Sequence, residues 1–96
     1  MARLQVEVRP GVGVCGYSLF VDGVPVTMDA GHRGEAPCAG RCGDGSRHAL
    51  LYSFSGRPGA ALRIVLRCRG REVCRVEPPP VPLDGLRKAG RELFDL

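Results

Sequence analysis

The sequence lacks tryptophan, and its aromatic side chains are only two tyrosines and three phenylalanines. Proteins that bind single-stranded nucleic acid stack bases on exposed aromatic side chains. A chain of this size needs most of its aromatic residues for its core, so few remain for such a surface. The low aromatic content therefore disfavours recognition of nucleic acids by stacking.

Long apolar runs are also absent. No stretch approaches the roughly 18–20 residues that cross a bilayer as a helix, so no membrane partner is expected. The first ten residues lack the apolar core of a secretory signal, because Gln5, Glu7 and Arg9 interrupt them. The five cysteines are an odd number, and a complete disulfide framework would leave one thiol free. These features predict a protein of the reducing cytoplasm.

Lysine is rare and asparagine is missing. The basic side chains are 13 arginines and one lysine against ten acids, for a net charge of +4. A GC-rich bacterial genome favours this composition, so the positions of the arginines are more informative than their number. The net charge predicts a weak electrostatic preference for acidic partners.

Alternation of apolar and polar residues predicts a β-rich domain. Leu4, Val6 and Val8 alternate with polar side chains over residues 3–9. Asp22-Gly23 lies between two apolar segments and predicts a hairpin with a two-residue turn, because both central positions need positive φ. Residues 48–54 are apolar on both faces, which is typical of a central strand.

The register of the last predicted hairpin follows from burial. A two-residue loop would place Arg75 on the core face, whereas a three-residue loop at 69–71 places Cys74 beside Leu66. Burying an unpaired guanidinium is costly, so we expect the longer loop. Cys68 and Cys74 are then expected to be buried thiols that act as small apolar side chains.

The chain has 96 residues, which is enough for one domain. We predict a mainly β fold over residues 1–96, a small antiparallel sandwich or partly open barrel of about five or six strands. The proline-rich residues 77–82 predict an extended connector. Asp84 can cap a C-terminal helix over residues 84–95. One apolar stripe of this helix would contain Leu86, Gly90, Leu93 and Phe94.

Residues 31–48 are rich in glycine, and we expect them to form one long loop. This loop contains four side chains of the types that hold a tetrahedral zinc ion: His32, Cys38, Cys42 and His48. A bound ion would offset the entropy of ordering the loop. However, the order His, Cys, Cys, His is uncommon in zinc fingers, and such loops collect these residues by chance. We therefore predict a domain without a cofactor, and zinc bound by these four residues is the alternative.

A reactive thiol is a second hypothesis for the same loop. Arg33, Arg41 and Arg47 would lower the pKa of Cys38 or Cys42, and a histidine would act as the base. Catalysis needs groups held in fixed positions, which a mobile loop does not provide. The chain has no other recognisable catalytic signature. We therefore predict a protein that is not an enzyme.

The outward face of the last hairpin is a third candidate site. In the expected register its side chains are Arg63, Val65, Arg67, Val73 and Arg75. Arginines beside exposed apolar groups are typical of protein interfaces. The alternative is a solvated sheet face on which Glu77 pairs with Arg63.

These features together predict a small protein-binding module without enzymatic activity: an adaptor, an inhibitor or immunity-type protein, or a subunit of a larger assembly. The expected partner is another protein, and the net charge favours an acidic one. Two alternatives stay open. One is a nucleic-acid-binding β-barrel whose arginines hold phosphates. The other is a binding domain that zinc stabilises through residues 32–48.

Overall fold

The computed structural model describes residues 1–85 and 87–96, and it contains eight β-strands. The strands are β1 (Ala2–Pro10), β2 (Val14–Val21), β3 (Val24–Pro25), β4 (Arg33–Cys38), β5 (Arg47–Gly56), β6 (Leu62–Cys68), β7 (Arg71–Val76) and β8 (Lys88–Asp95). They form two antiparallel sheets of four strands each. The first sheet has the order β4-β1-β6-β7, and the second has the order β3-β2-β5-β8. Nowhere in the described ranges is there a helix that could span a membrane.

The two sheets enclose one apolar core. The predicted alternation is confirmed in the first sheet, where β1 buries every second residue and β6 buries every second residue and Val65 in addition. β5 lies between β2 and β8, which confirms the central position predicted for residues 48–54. Seven side chains of the core are the largest that are fully buried: Phe54, Leu4, Leu50, Ile64, Leu66, Val6 and Val21. Burial of one face of each sheet is the main source of stability in such a sandwich.

The hairpin of β6 and β7 has the predicted pairing but not the predicted loop. Leu66 lies opposite Cys74, the pairing that was predicted because it keeps the Arg75 guanidinium off the core face. The turn itself is the two-residue Arg69-Gly70, in which both residues have positive φ. A β-bulge next to Leu66 takes up the additional residue, and Val73 packs against the core there. The bulge therefore keeps Arg75 off the core face, which the three-residue loop was expected to do.

The prediction of a C-terminal helix over residues 84–95 is wrong, because residues 88–95 form β8. Every residue of β8 pairs with β5, from Lys88 opposite Phe54 to Asp95 opposite Arg47. Pairing with the free edge of β5 stabilises the strand, whereas Gly90 disfavours a helix by about 1 kcal/mol. Leu86, which was assigned to the helix stripe, lies outside the described residues.

The prediction of five or six strands is also wrong, in part because residues 33–38 of the expected loop form β4. β4 pairs along β1 and buries the small side chains of Ala36 and Cys38. Pro37 fits because β4 is an edge strand, where a missing N–H is tolerated. Alanine, glycine and cysteine gave no clear apolar alternation, so the strand was missed.

Cys68 is not the free thiol that was expected. It forms a disulfide with Cys42, which links the end of β6 to the segment between β4 and β5. Cys74 is a free, buried thiol, as predicted. Disulfides are uncommon in reducing compartments, so this bond does not support the cytoplasmic location expected from the sequence.

Candidate functional site

A cluster of polar side chains lies where the β2–β3 turn meets the start of β5. Asp22 occupies the first central position of that turn, with a φ of 50° that aspartate tolerates better than most residues. Its Oδ2 atom lies 2.6 Å from Nδ1 of His48, and its Oδ1 atom accepts a hydrogen bond from the Ala49 N–H. His48 is only 6% exposed and packs beside the Phe94 ring. The turn therefore provides a buried histidine with its hydrogen-bond partner.

The other nitrogen of the His48 ring belongs to a second set of hydrogen bonds. Nε2 lies 2.8 Å from Oγ of Ser46, and the Ser46 hydroxyl lies 2.6 Å from Oδ1 of Asp44. Asp44 accepts this hydroxyl and the backbone N–H groups of Arg41 and Ser46, which lower its pKa to about 2. An ionised carboxylate only accepts, so the single hydroxyl proton points to Asp44. Nε2 of His48 is then the donor to Ser46.

Cys38 completes the cluster from the end of β4. Its thiol donates to Oδ2 of Asp22 at 3.8 Å. Burial, followed by the nearby Asp22 carboxylate, raises the pKa of Cys38 to about 11. Burial also opposes ionisation of Asp22, but hydrogen bonds from Ala49 and His48 outweigh it and lower the pKa of this carboxyl. The cluster thus contains an ionised aspartate beside a protonated thiol.

The structure brings together two of the four residues predicted to bind zinc. Cys38 and His48 share the cluster with Asp22, and their ligand atoms all lie within 4.8 Å of one another. Cys42 is in the disulfide with Cys68. His32 belongs to a different contact, with Nδ1 at 2.6 Å from the Tyr17 hydroxyl. The sequence did not indicate Asp22 as a candidate ligand, because its place in the Asp22-Gly23 turn already explained it.

Ser46, His48 and Asp22 have the order and the distances of a hydrolase triad. A nucleophilic serine must lose its proton to the histidine and develop negative charge. Here Asp44 lies 2.6 Å from the same oxygen and would oppose that charge. The high pKa of Cys38 likewise disfavours a thiolate nucleophile. The hydrogen bonds are better suited to holding the histidine in place than to nucleophilic attack.

The outward face of the β6–β7 hairpin, which we call the arginine patch, was predicted to be a binding site. It is an array of ion pairs. Each of its three arginines has a glutamate partner at 2.7–2.9 Å: Arg63 with Glu77, Arg67 with Glu7, and Arg75 with Glu72. Val65 is only 4% exposed, and Val73 packs against the core. The Arg63–Glu77 pair is the one that the solvated-face alternative predicted.

Glu7 is the most strongly held carboxylate of this array. Arg9 and Arg67 both donate to it and lower its pKa to about 2. Each arginine of the patch already has a glutamate partner. Exposed ion pairs of this kind contribute little to stability, but they reduce the charge that the face presents to a ligand.

The outward face of the second sheet has a different composition. The registers of β2, β5 and β8 direct a set of side chains to it, and we give the name apolar face to eight of these: Ser18, Phe20, Ala49, Leu51, Ser53, Ala89, Arg91 and Leu93. Leu51 and Leu93 are 41% and 48% exposed. Ser18 and Ser53 share a hydrogen bond, and the Arg47–Asp95 ion pair lies at one end. Apart from Arg91 these eight side chains are uncharged, and Leu51 and Leu93 are open to solvent.

Comparisons with protein-family models, with curated proteins and with solved structures found no match for this chain. Function is therefore inferred from the side chains themselves.

One sequence feature indicated the apolar face, but it was used only to predict the central position of a strand. Ala49 and Leu51 alternate with the buried Leu50, so β5 has apolar residues on both sides. A central strand with one solvent-exposed face usually carries polar residues on that face. Leu93 escaped notice because it was assigned to the helix stripe, and only the pairing of β8 places it opposite Ala49.

Proposed function

We propose that this protein is a non-enzymatic protein-binding module that binds its partner through the apolar face. The observation that carries the proposal is the exposure of Leu51 and Leu93 on the outward face of the second sheet. Contiguous exposed apolar groups with a polar rim are typical of protein interaction sites. Burial of such side chains against a partner removes them from water and stabilises the complex.

The charge of the apolar face indicates what kind of partner fits it. Arg91 pairs in register with Leu51 and is the one charged side chain within the face, as far as the described residues show. None of the ion pairs found in those residues includes Arg91. A buried guanidinium needs an acceptor, so a partner has to supply a carboxylate there. We infer a partner protein with an apolar surface and one acidic side chain.

The arginine patch gives less support to a binding role, either for protein or for nucleic acid. Its three guanidinium groups already have glutamate partners. Phosphate contacts would have to replace those pairs, which reduces the gain from counterion release. The surface that the sequence favoured is therefore the weaker candidate. The cytoplasmic location stays a prediction from the sequence, and the Cys42–Cys68 disulfide does not support it.

Capture of the partner with variants of both faces tests the proposal. We expect Leu51→Glu to weaken binding of the captured protein by about thirtyfold or more, since central apolar contacts contribute about 2 kcal/mol or more. The matched control is Gln5→Glu, which adds a carboxylate to an exposed position of the first sheet. It should bind like the wild type, and raising the salt concentration should have little effect.

Two results of this experiment would count against the proposal. If Leu51→Glu binds every captured protein as tightly as the wild type, the apolar face is not the interface. If the only species captured is a second copy of the chain, the partner is not a different protein. Circular dichroism of each variant verifies that the substituted sheet is intact.

A further inference from the structure

We propose that Asp22, Cys38 and His48 bind one divalent cation of the zinc class. In residues 1–85 and 87–96, this is the one group of three or more histidine, cysteine or acidic side chains whose ligand atoms converge. Imidazole, thiolate and carboxylate are the usual protein ligands of zinc. The site is distinct from the apolar face, so it adds to the proposed function and does not depend on it.

The distances between the donor atoms bracket those of a tetrahedral site. Zinc bonds of about 2.0–2.3 Å place neighbouring ligand atoms about 3.3–3.6 Å apart. Sγ of Cys38 and Oδ2 of Asp22 are already 3.8 Å apart. Nδ1 of His48 lies 2.6 Å from the same oxygen. The cation would take the place of the Cys38 thiol proton and of any proton that Nδ1 and Oδ2 share, and these protons are released to solvent.

The surrounding hydrogen bonds prepare the ligand atoms for a cation. Histidine binds a metal through one nitrogen while the other donates a hydrogen bond. The Asp44–Ser46 hydroxyl contact makes Nε2 of His48 a donor, which leaves Nδ1 for the cation. The Ala49 N–H holds Oδ1 of Asp22, so Oδ2 is directed at the other two ligands. These are the outer contacts that a zinc site normally has.

Burial differs across the three ligands in a way that leaves one position open. Cys38 and His48 are buried, whereas the Asp22 side chain is 38% exposed. A cation can enter from that side, and water can fill the fourth position. Three protein ligands with one exchangeable position are typical of zinc sites that interact with a further ligand.

Titration of the metal-free protein with Zn²⁺ alone tests this proposal, with Co²⁺ as a spectroscopic probe. We expect the protein to bind one equivalent of Zn²⁺, which a chelator removes again. Tm should rise as the Zn²⁺ concentration rises. Co²⁺ should give the absorption of a thiolate-bound tetrahedral ion. Cys38→Ala should abolish that band and weaken Zn²⁺ binding at least tenfold, and Asp22→Asn should also weaken it tenfold.

Free cysteines elsewhere in the chain provide matched controls. Cys74→Ala removes the other buried thiol and Cys15→Ala removes the exposed one, and both should bind Zn²⁺ like the wild type. The proposal is overturned if Zn²⁺ binds at far less than one equivalent, or if Co²⁺ shows no thiolate band. It is also overturned if Cys38→Ala binds as tightly as the wild type. The wild-type cobalt spectrum decides the matter even where a variant folds poorly.

Discussion

Reduction of the Cys42–Cys68 disulfide is expected to lower the free energy of unfolding by about 3 kcal/mol. The two cysteines are 26 residues apart in sequence, and a crosslink that closes a loop of this length typically contributes about 2–4 kcal/mol. The bond restricts the unfolded chain and ties the glycine-rich segment after β4 to the end of β6. Urea unfolding with and without a phosphine reductant measures the difference.

Variants of the cysteines separate the disulfide from other effects of the reductant. Cys42→Ala should have nearly the stability of the reduced wild type and should no longer respond to the reductant. Cys15→Ala removes an exposed free cysteine and should keep the full response. An unchanged urea midpoint of the wild type after complete reduction would show that the bond does not stabilise the fold.

Asp22→Ala is expected to destabilise the metal-free protein by about 2–4 kcal/mol. The substitution leaves the buried His48 and the Ala49 N–H without their acceptor, and unsatisfied buried groups cost about 1–3 kcal/mol. Alanine is also strained at positive φ, at a cost of about 1–2 kcal/mol. Urea unfolding in the presence of chelator measures the effect without any contribution from a bound cation.

Asparagine at the same position distinguishes the two causes. Asp22→Asn keeps an oxygen for the Ala49 N–H and tolerates the positive φ, so it should lose less than half as much stability as Asp22→Ala. Asp95→Asn, which alters an exposed ion pair with Arg47, should change stability by less than about 0.5 kcal/mol. Equal stabilities of Asp22→Ala and the wild type would mean that the hydrogen bonds of His48 do not support the turn.

The sequence predicted those strands whose side chains differ strongly in polarity from one face to the other. In β1 and β6, large aliphatic residues alternate with charged ones, and the structure confirms the core face of both strands. The Asp22-Gly23 hairpin was equally accessible, because positive φ at two successive residues selects very few dipeptides. In these cases local chemistry and the tertiary fold agree.

The C-terminal segment could not be predicted in this way, because its conformation depends on a distant strand. Residues 88–95 contain five strong helix formers and one strand former, Phe94, so local propensity favours a helix. The free edge of β5 decides the outcome through backbone pairing. A propensity of a few tenths of a kcal/mol per residue is small beside a complete strand pairing.

The candidate metal site shows the same limit of sequence reasoning. Cys38 and His48 were grouped because they are near in sequence and have the right chemistry. Asp22 is 26 residues from His48, and only the packing of the turn against β5 brings them together. Cys42 was grouped with them, but the end of β6 lies closer to it in the fold and supplies Cys68. Sequence spacing therefore identified two of the three residues of the candidate site.

Site-specific photo-crosslinking tests most directly whether the apolar face is the binding surface. A photoreactive phenylalanine analogue replaces Leu51 in one variant and Arg63, on the outward face of the first sheet, in another. Both positions are partly exposed, so neither replacement disturbs the core. Our account predicts that the probe at position 51 crosslinks to a partner protein and that the probe at position 63 does not. Crosslinks to that partner from position 63 alone would contradict it.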